Sequence, residues 1–167
     1  MRRRVDVDPA NPRVTVPRRV LNELFAHALE VLPEECCGLI FGDDNRRFRR
    51  VVRCRNEMTR RHGEDPMRFP RDGREAYYMN AGDCQAALEQ AEPIGERVTA
   101  IYHSHVEVGA YLSEKDLEFA EDERFPFADA DQIVVSVSEG KVGPFALFQR
   151  NQQSGIYSGH GVDGIDP

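Results

Sequence analysis

The sequence predicts an α/β domain of the α+β kind, with helices alternating with short buried strands along one chain. Two features of the residue pattern carry that expectation. Apolar residues at positions 20, 21, 24, 25, 28, 29 and 32 recur at helical spacing. Short apolar runs at 36–41, 97–102 and 132–137 have the length of buried strands and are separated by turn-forming or helical stretches. A length of 167 residues adds that about one domain is expected, large enough to bury a true core.

Residues 1–12 are charged and contain Pro9 and Pro12, and are expected to be a flexible N-terminal arm. Residues 13–16 suit a short strand, and Pro17 suits the first position of the following helix, which should stop at Pro33. His27 falls on or beside the apolar stripe, where a packed histidine is the simplest reading. After the strand at 36–41, Gly42-Asp43-Asp44-Asn45 is turn chemistry, and 48–54 returns as the second strand of a hairpin. Residues 56–74 read as a long polar loop, 75–79 as a strand, and 81–92 as a helix ended by Pro93 and Gly95. A buried strand at 97–102, a helix from 114 to about 124, and strands at 132–137 and 144–149 complete the domain. The expected division is therefore an arm at 1–12, a domain at 13–149 and a flexible tail at 150–167.

Twenty-two basic against 29 acidic side chains give a net charge of −7, which disfavours a broad nucleic-acid-binding surface. The longest apolar runs are too short for a membrane span or a secretory leader, so a cytoplasmic location is expected. Cys36, Cys37, Cys54 and Cys84 include no C-x-x-C spacing and read as reduced core thiols rather than a disulfide or zinc-knuckle framework.

The chemistry concentrates in residues 100–116. His103-Ser104-His105 stands at a strand end, where positions i and i+2 share a face, so the two imidazoles aim at one point while Ser104 faces away. Asp116 lies in the first turn of the next helix, and a loop can return it to the same point. Two imidazoles and one carboxylate suit a catalytic zinc ion that keeps a fourth position open. Ser113-Glu114-Lys115-Asp116 is also a capping-box pattern, and the two readings are compatible. Other metal sites fit less well. A metallo-β-lactamase pattern is broken by Glu107 and Val108, and the zincin H-E-x-x-H helix is absent.

His103-Ser104-His105, seven residues, Ser113, two residues and Asp116 resemble the motif of the JAMM (MPN+, Mov34/MPN/PAD-1) metalloproteases. Their upstream glutamate lies three residues before a glycine entering an apolar strand, which Glu35-Cys36-Cys37-Gly38 matches. The resemblance runs from about residue 14 to 149 and includes the order of elements. It implies a mixed central β-sheet flanked by helices, in a cytidine-deaminase-like architecture. It further implies Zn²⁺ held by His103, His105 and Asp116, with Glu35 as general base and acid and Ser113 stabilising the oxyanion. The short connection after Asp116 resembles the compact prokaryotic type, whose substrate is the C-terminal tail of a ubiquitin-like sulfur-carrier protein, cleaved after glycine. The family often has proline after the second histidine and before the serine, where Val106 and Leu112 stand here. Alternative expectations are a non-catalytic MPN scaffold module and a zinc hydrolase of a small amide. Residues 56–74 and 106–112 are expected to flank the groove, with Arg68, Arg71 and Arg74 meeting an acidic carrier or forming a solvated face.

Overall fold

The computed structural model describes residues 3–166. In chain order the elements are β1 (Val14–Pro17), α1 (Arg18–Glu30), β2 (Cys37–Gly42), β3 (Arg50–Cys54), α2 (Met58–Glu64), α3 (Ala81–Ala91), β4 (Arg97–Val106), α4 (Glu114–Glu121), β5 (Asp131–Ser138), β6 (Lys141–Arg150), β7 (Tyr157–His160) and β8 (Val162–Ile165). A six-stranded sheet runs β3-β2-β4-β5-β6-β7. Its β4–β5 pair is parallel and its other pairs are antiparallel. A second sheet pairs β1 with β8 in parallel. The expected mixed sheet flanked by helices is the architecture found. No helix among the described residues is long and apolar enough to cross a membrane.

Strand parity divides the core. Ile40, Ala100, Tyr102, Ile133, Val135 and Leu147 pack with Val20, Leu21, Leu24 and Ala28 of α1. On the opposite face Leu39, Phe41 and Ile101 meet Ala87 and Ala91 of α3, while Val134, Ala146 and Phe148 meet Leu117 and Ala120 of α4. Both faces of β4 and β5 are thus covered, which explains their continuous apolar runs. Gly38 allows the close approach this requires. A Cβ there would lie 2.5 Å from the Tyr102 ring, its hydroxyl and the Val52 carbonyl. Tyr102 passes over it to place its hydroxyl 2.7 Å from His27 Nδ1.

Several elements differ from the sequence expectation. Strand β4 continues to Val106, because parallel pairing with β5 extends to Val106 opposite Val137. Both motif histidines, expected at a strand end, therefore lie within the paired strand itself. The polar segment 56–74 contains α2. No strand forms at 75–79 beyond a single bridge from Met79 to Asn56, since the Asn56 side chain occupies the Ala76 carbonyl and the Tyr78 N–H. Helix α4 ends at Glu121, and the Asp122 carboxylate accepts from Arg124 N instead.

The expected loose ends carry paired backbone. Strand β7 extends the main sheet and β8 pairs with β1. Val5 bridges Leu112, and Val7 bridges Gly159. His160 Nδ1 donates to the Pro12 carbonyl at 2.7 Å, and Ser158 donates to His160 Nε2 at 2.9 Å. Arg13 reaches the Val162 carbonyl and Asp163. These contacts are mostly polar and non-local, so hydrophobic periodicity carries little trace of them.

Burial beside Tyr102, aided by Arg53 and opposed by Glu30, pulls the His27 pKa down to about 4. An unfolded histidine titrates near ~6.5, so between those values only the unfolded chain takes the proton. Stability is therefore expected to fall as pH drops from about 6.5 toward 4. Urea midpoints of the native protein and His27→Gln across this range should show their difference shrinking as pH falls. A constant difference would assign no such role to His27.

Candidate metal centre

Odd-numbered residues of β4 face α3 and α4, so His103 and His105 emerge together on that side. Their Nε2 atoms are 3.1 Å apart. Ser113 caps α4, accepting from Asp116 N at 3.1 Å, and Asp116 Oδ2 accepts from Ser113 N at 2.9 Å. The same carboxylate oxygen lies 3.3 Å from each imidazole Nε2. The capping box thus fixes the direction of Asp116 as well as starting the helix.

The donor chemistry fits a metal ion. His105 Nδ1 donates to the Gly109 carbonyl at 2.8 Å, which leaves Nε2 of the neutral ring as a Lewis base. His103 is fully buried, and its ring stacks on Tyr77 with centroids 4.6 Å apart. Its Nδ1 is buried without a partner among the described residues. The three candidate ligand atoms lie within 4.8 Å of one another. A tetrahedral ion bound at about 2.0–2.1 Å separates its ligand atoms by roughly 3.3–3.4 Å, close to the spacing here. Burial opposes charge on Asp116, but the flanking imidazoles outweigh it and hold the carboxyl well below its usual range.

Glu35 precedes β2 and lines the same cleft as His105, Ser113 and Asp116, with a volume of about 820 Å³. It is only 5 % exposed. Burial pushes its pKa up to about 8, against the pull of His105 and with the help of Asp116. Its backbone is held from both sides. Glu35 N donates to Gly73 O at 2.7 Å, and Asn56 Nδ2 donates to Glu35 O at 3.1 Å. The next residue is locked to β4, with Cys36 N donating to Ser104 Oγ at 2.7 Å and Ser104 N donating to Cys36 O at 3.1 Å. Ser104 does face away from the imidazoles, and in doing so it ties the glutamate segment to the histidine strand.

The structure therefore brings all five sequence-selected residues, Glu35, His103, His105, Ser113 and Asp116, to one place. Sequence reasoning missed Asn56 and Tyr77. Neither stands in a recognisable spacing, and their importance comes from contacts between distant segments. Within residues 56–74, the Thr59 hydroxyl donates to Glu34 and accepts from Gly73 N, so this segment supports the Glu35 backbone. As expected, residues 56–74 flank the groove, with Met58, Arg68 and Arg71 among those lining the cleft.

Comparison with known proteins gives a consistent picture. The family model of prokaryotic homologs of the JAB domain matches residues 17–148. CysO-cysteine peptidases of Mycobacterium tuberculosis and Mycobacterium bovis are 26 % identical over 120 residues, which is 72 % of this chain and 70 % of theirs. A solution structure of a protein from Desulfitobacterium hafniense superposes with a TM-score of 0.65 at 19 % identity, covering 92 % of this chain and 94 % of that one. One from Salinibacter ruber gives 0.55 at 22 %, covering 92 % and 91 %. The chain belongs to the prokaryotic JAB/MPN family.

Asn56 makes four hydrogen bonds, to the carbonyls of Glu35 and Ala76 and from the N–H groups of Met58 and Tyr78. Asn56→Ala is expected to cost about 2–4 kcal/mol, since each buried group left unpaired costs about 1–3 kcal/mol. Chemical denaturation measures this, and a loss under 0.5 kcal/mol, the usual scatter of a neutral surface substitution, would contradict it.

Proposed function

We propose that this chain is a zinc-dependent metallopeptidase of the JAMM type. Its substrate on this reading is a ubiquitin-like sulfur-carrier protein in the cytoplasm, cleaved after the carrier's C-terminal glycine. The observation that carries the reading is the convergence of His103, His105 and Asp116 at the wall of an open cleft that the buried Glu35 also lines. The likeness to CysO-cysteine peptidases supports the choice of substrate.

His103, His105 and Asp116 would hold the ion. When bound, it supplies a Lewis acid for the scissile carbonyl and for water. Glu35 accepts a proton from the attacking water as the new C–O bond forms. It then delivers that proton to the leaving nitrogen as the C–N bond breaks. Its raised pKa suits both halves, because a carboxylate of ordinary acidity gives up a proton too easily to serve as the acid. A cation at the neighbouring site would lower that pKa by favouring the carboxylate.

Ser113 Oγ accepts from Asp116 N, which leaves its own proton free for the oxyanion that develops on the glycine carbonyl. The cleft walls supply apolar contact through Tyr77, Tyr111, Val108 and Phe119. An extended tail rich in glycine has little side chain to place there, so shape and backbone contacts would select it.

Native mass spectrometry is expected to show one zinc ion per chain. Asp116→Asn should lose it, whereas Glu35→Gln should retain it and still lose about 10²- to 10⁴-fold in rate. The activity assay is mass spectrometry of ubiquitin-like carriers bearing one residue beyond the terminal glycine. A fully active Glu35→Gln, or a protein without a stoichiometric ion, would refute the reading.

Ser113→Ala should lower kcat by about 10²- to 10³-fold through loss of the oxyanion contact. It should also cost about 1 kcal/mol of stability through the missing cap. A loss of stability with unchanged kcat would leave Ser113 as a cap alone.

A further inference from the structure

The metal-site cleft is lined by four cations, and three are already engaged. Arg74 pairs with Asp72 at 2.8 Å, Lys115 with Glu118 at 2.9 Å, and the Arg68 guanidinium lies 5.3 Å from the Phe69 ring centre. Arg71 is half-buried and makes no ion pair or side-chain hydrogen bond among the described residues. It also lines an adjoining hollow of about 560 Å³, walled by Pro33, His62, Pro70, Val106, the paired Asp72 and Arg74, and Glu75, that opens beside the cleft.

A half-buried guanidinium left without an anion carries a desolvation cost that a bound anion would relieve. The anion's identity follows from what Glu35 does on the peptidase reading, on which this inference rests. Glu35 protonates the leaving nitrogen, and Arg71 lines the same cleft as Glu35, its charge a minor pull against the burial that raises the Glu35 pKa. In a leaving amino acid the α-carboxylate is two bonds from that nitrogen. In a lysine isopeptide the same nitrogen ends a chain of four methylenes, and in an internal peptide bond the carboxylate is replaced by a neutral amide.

We propose that Arg71 binds the free α-carboxylate of a single amino acid leaving from the carrier's glycine, so that the enzyme trims one terminal residue in preference to cleaving isopeptides or internal bonds. The hollow next to Arg71 then receives that residue's side chain. Arginine suits the task because its planar fork matches a carboxylate in two parallel hydrogen bonds.

The test uses CysO–cysteine prepared by ligation in two forms, the free acid and the C-terminal cysteinamide. The native protein is expected to cleave the acid about 10- to 100-fold faster in kcat/KM, the range of a charged hydrogen bond. Arg71→Gln should remove that preference by slowing the acid alone, mainly through KM, and Arg71→Lys should restore part of it. Thermal melting of Arg71→Gln should be unchanged. Equal rates on the two forms, or an equal loss on both in Arg71→Gln, would overturn the proposal and leave the peptidase reading standing. No cleavage of either form by the zinc-loaded native protein would overturn both.

Discussion

Three electron-rich atoms, two imidazole nitrogens and one carboxylate oxygen, are held 3.1–3.3 Å apart in a buried corner of the sheet. Everything else about the site is arranged around that crowding. Without a cation to share, such a cluster is held together only by protons, and the Gly109 carbonyl already commits one ring proton of His105 to the far side. Burial in the interior makes the electrostatic cost of the arrangement larger than it would be in water. The surroundings also restrict relaxation. β4 is paired on both edges, Tyr77 lies on the His103 ring, and Asp116 is gripped by its own helix cap.

Placement of the candidate site on this scaffold is a matter of which strand carries what. The glutamate stands just ahead of β2 and the histidines near the end of β4, and these two strands are antiparallel neighbours in which Cys37 faces His103. Antiparallel pairing therefore brings the start of one strand to the end of the other. The Ser104–Cys36 hydrogen bonds continue that pairing one residue beyond the strand. The glutamate thus sits on backbone whose groups are nearly all satisfied, an arrangement suited to the base proposed for it.

Much of this was readable in advance because the decisive residues are close in sequence. His103, His105, Ser113 and Asp116 fall within fourteen positions, where strand period and helix-cap chemistry set their directions locally. Helix α1 was legible for the same reason, its stripe meeting the sheet along its whole length. What escaped was non-local. Asn56 acts through four backbone groups spread from residue 35 to 78. Strands β7 and β8 are built on short polar stretches; β7 pairs with the neighbouring β6, but His160 and β8 find their contacts near the other end of the chain, at Pro12, Arg13 and β1. Residues 75–79 have strand-forming composition, yet an asparagine side chain took the hydrogen bonds a neighbouring strand would have needed.

The loop between His105 and Ser113 shows how a fold reaches the same end by other means. Where the motif this segment resembles often has proline on either side, this chain has Val106 and Leu112. Stiffness here comes from contacts instead. Val106 remains in the sheet opposite Val137. Glu107 adopts a left-handed φ of 63°, a strained conformation for a residue with a side chain. Its carboxylate accepts from Ser138 Oγ and Glu139 N, which holds it there. Ser136 donates to the Val108 carbonyl, and the next carbonyl on the chain, at residue 109, is the one that orients His105. Leu112 is fully buried, and its backbone exchanges two hydrogen bonds with Val5. The N-terminal segment is thereby part of what shapes the loop that sets the imidazole.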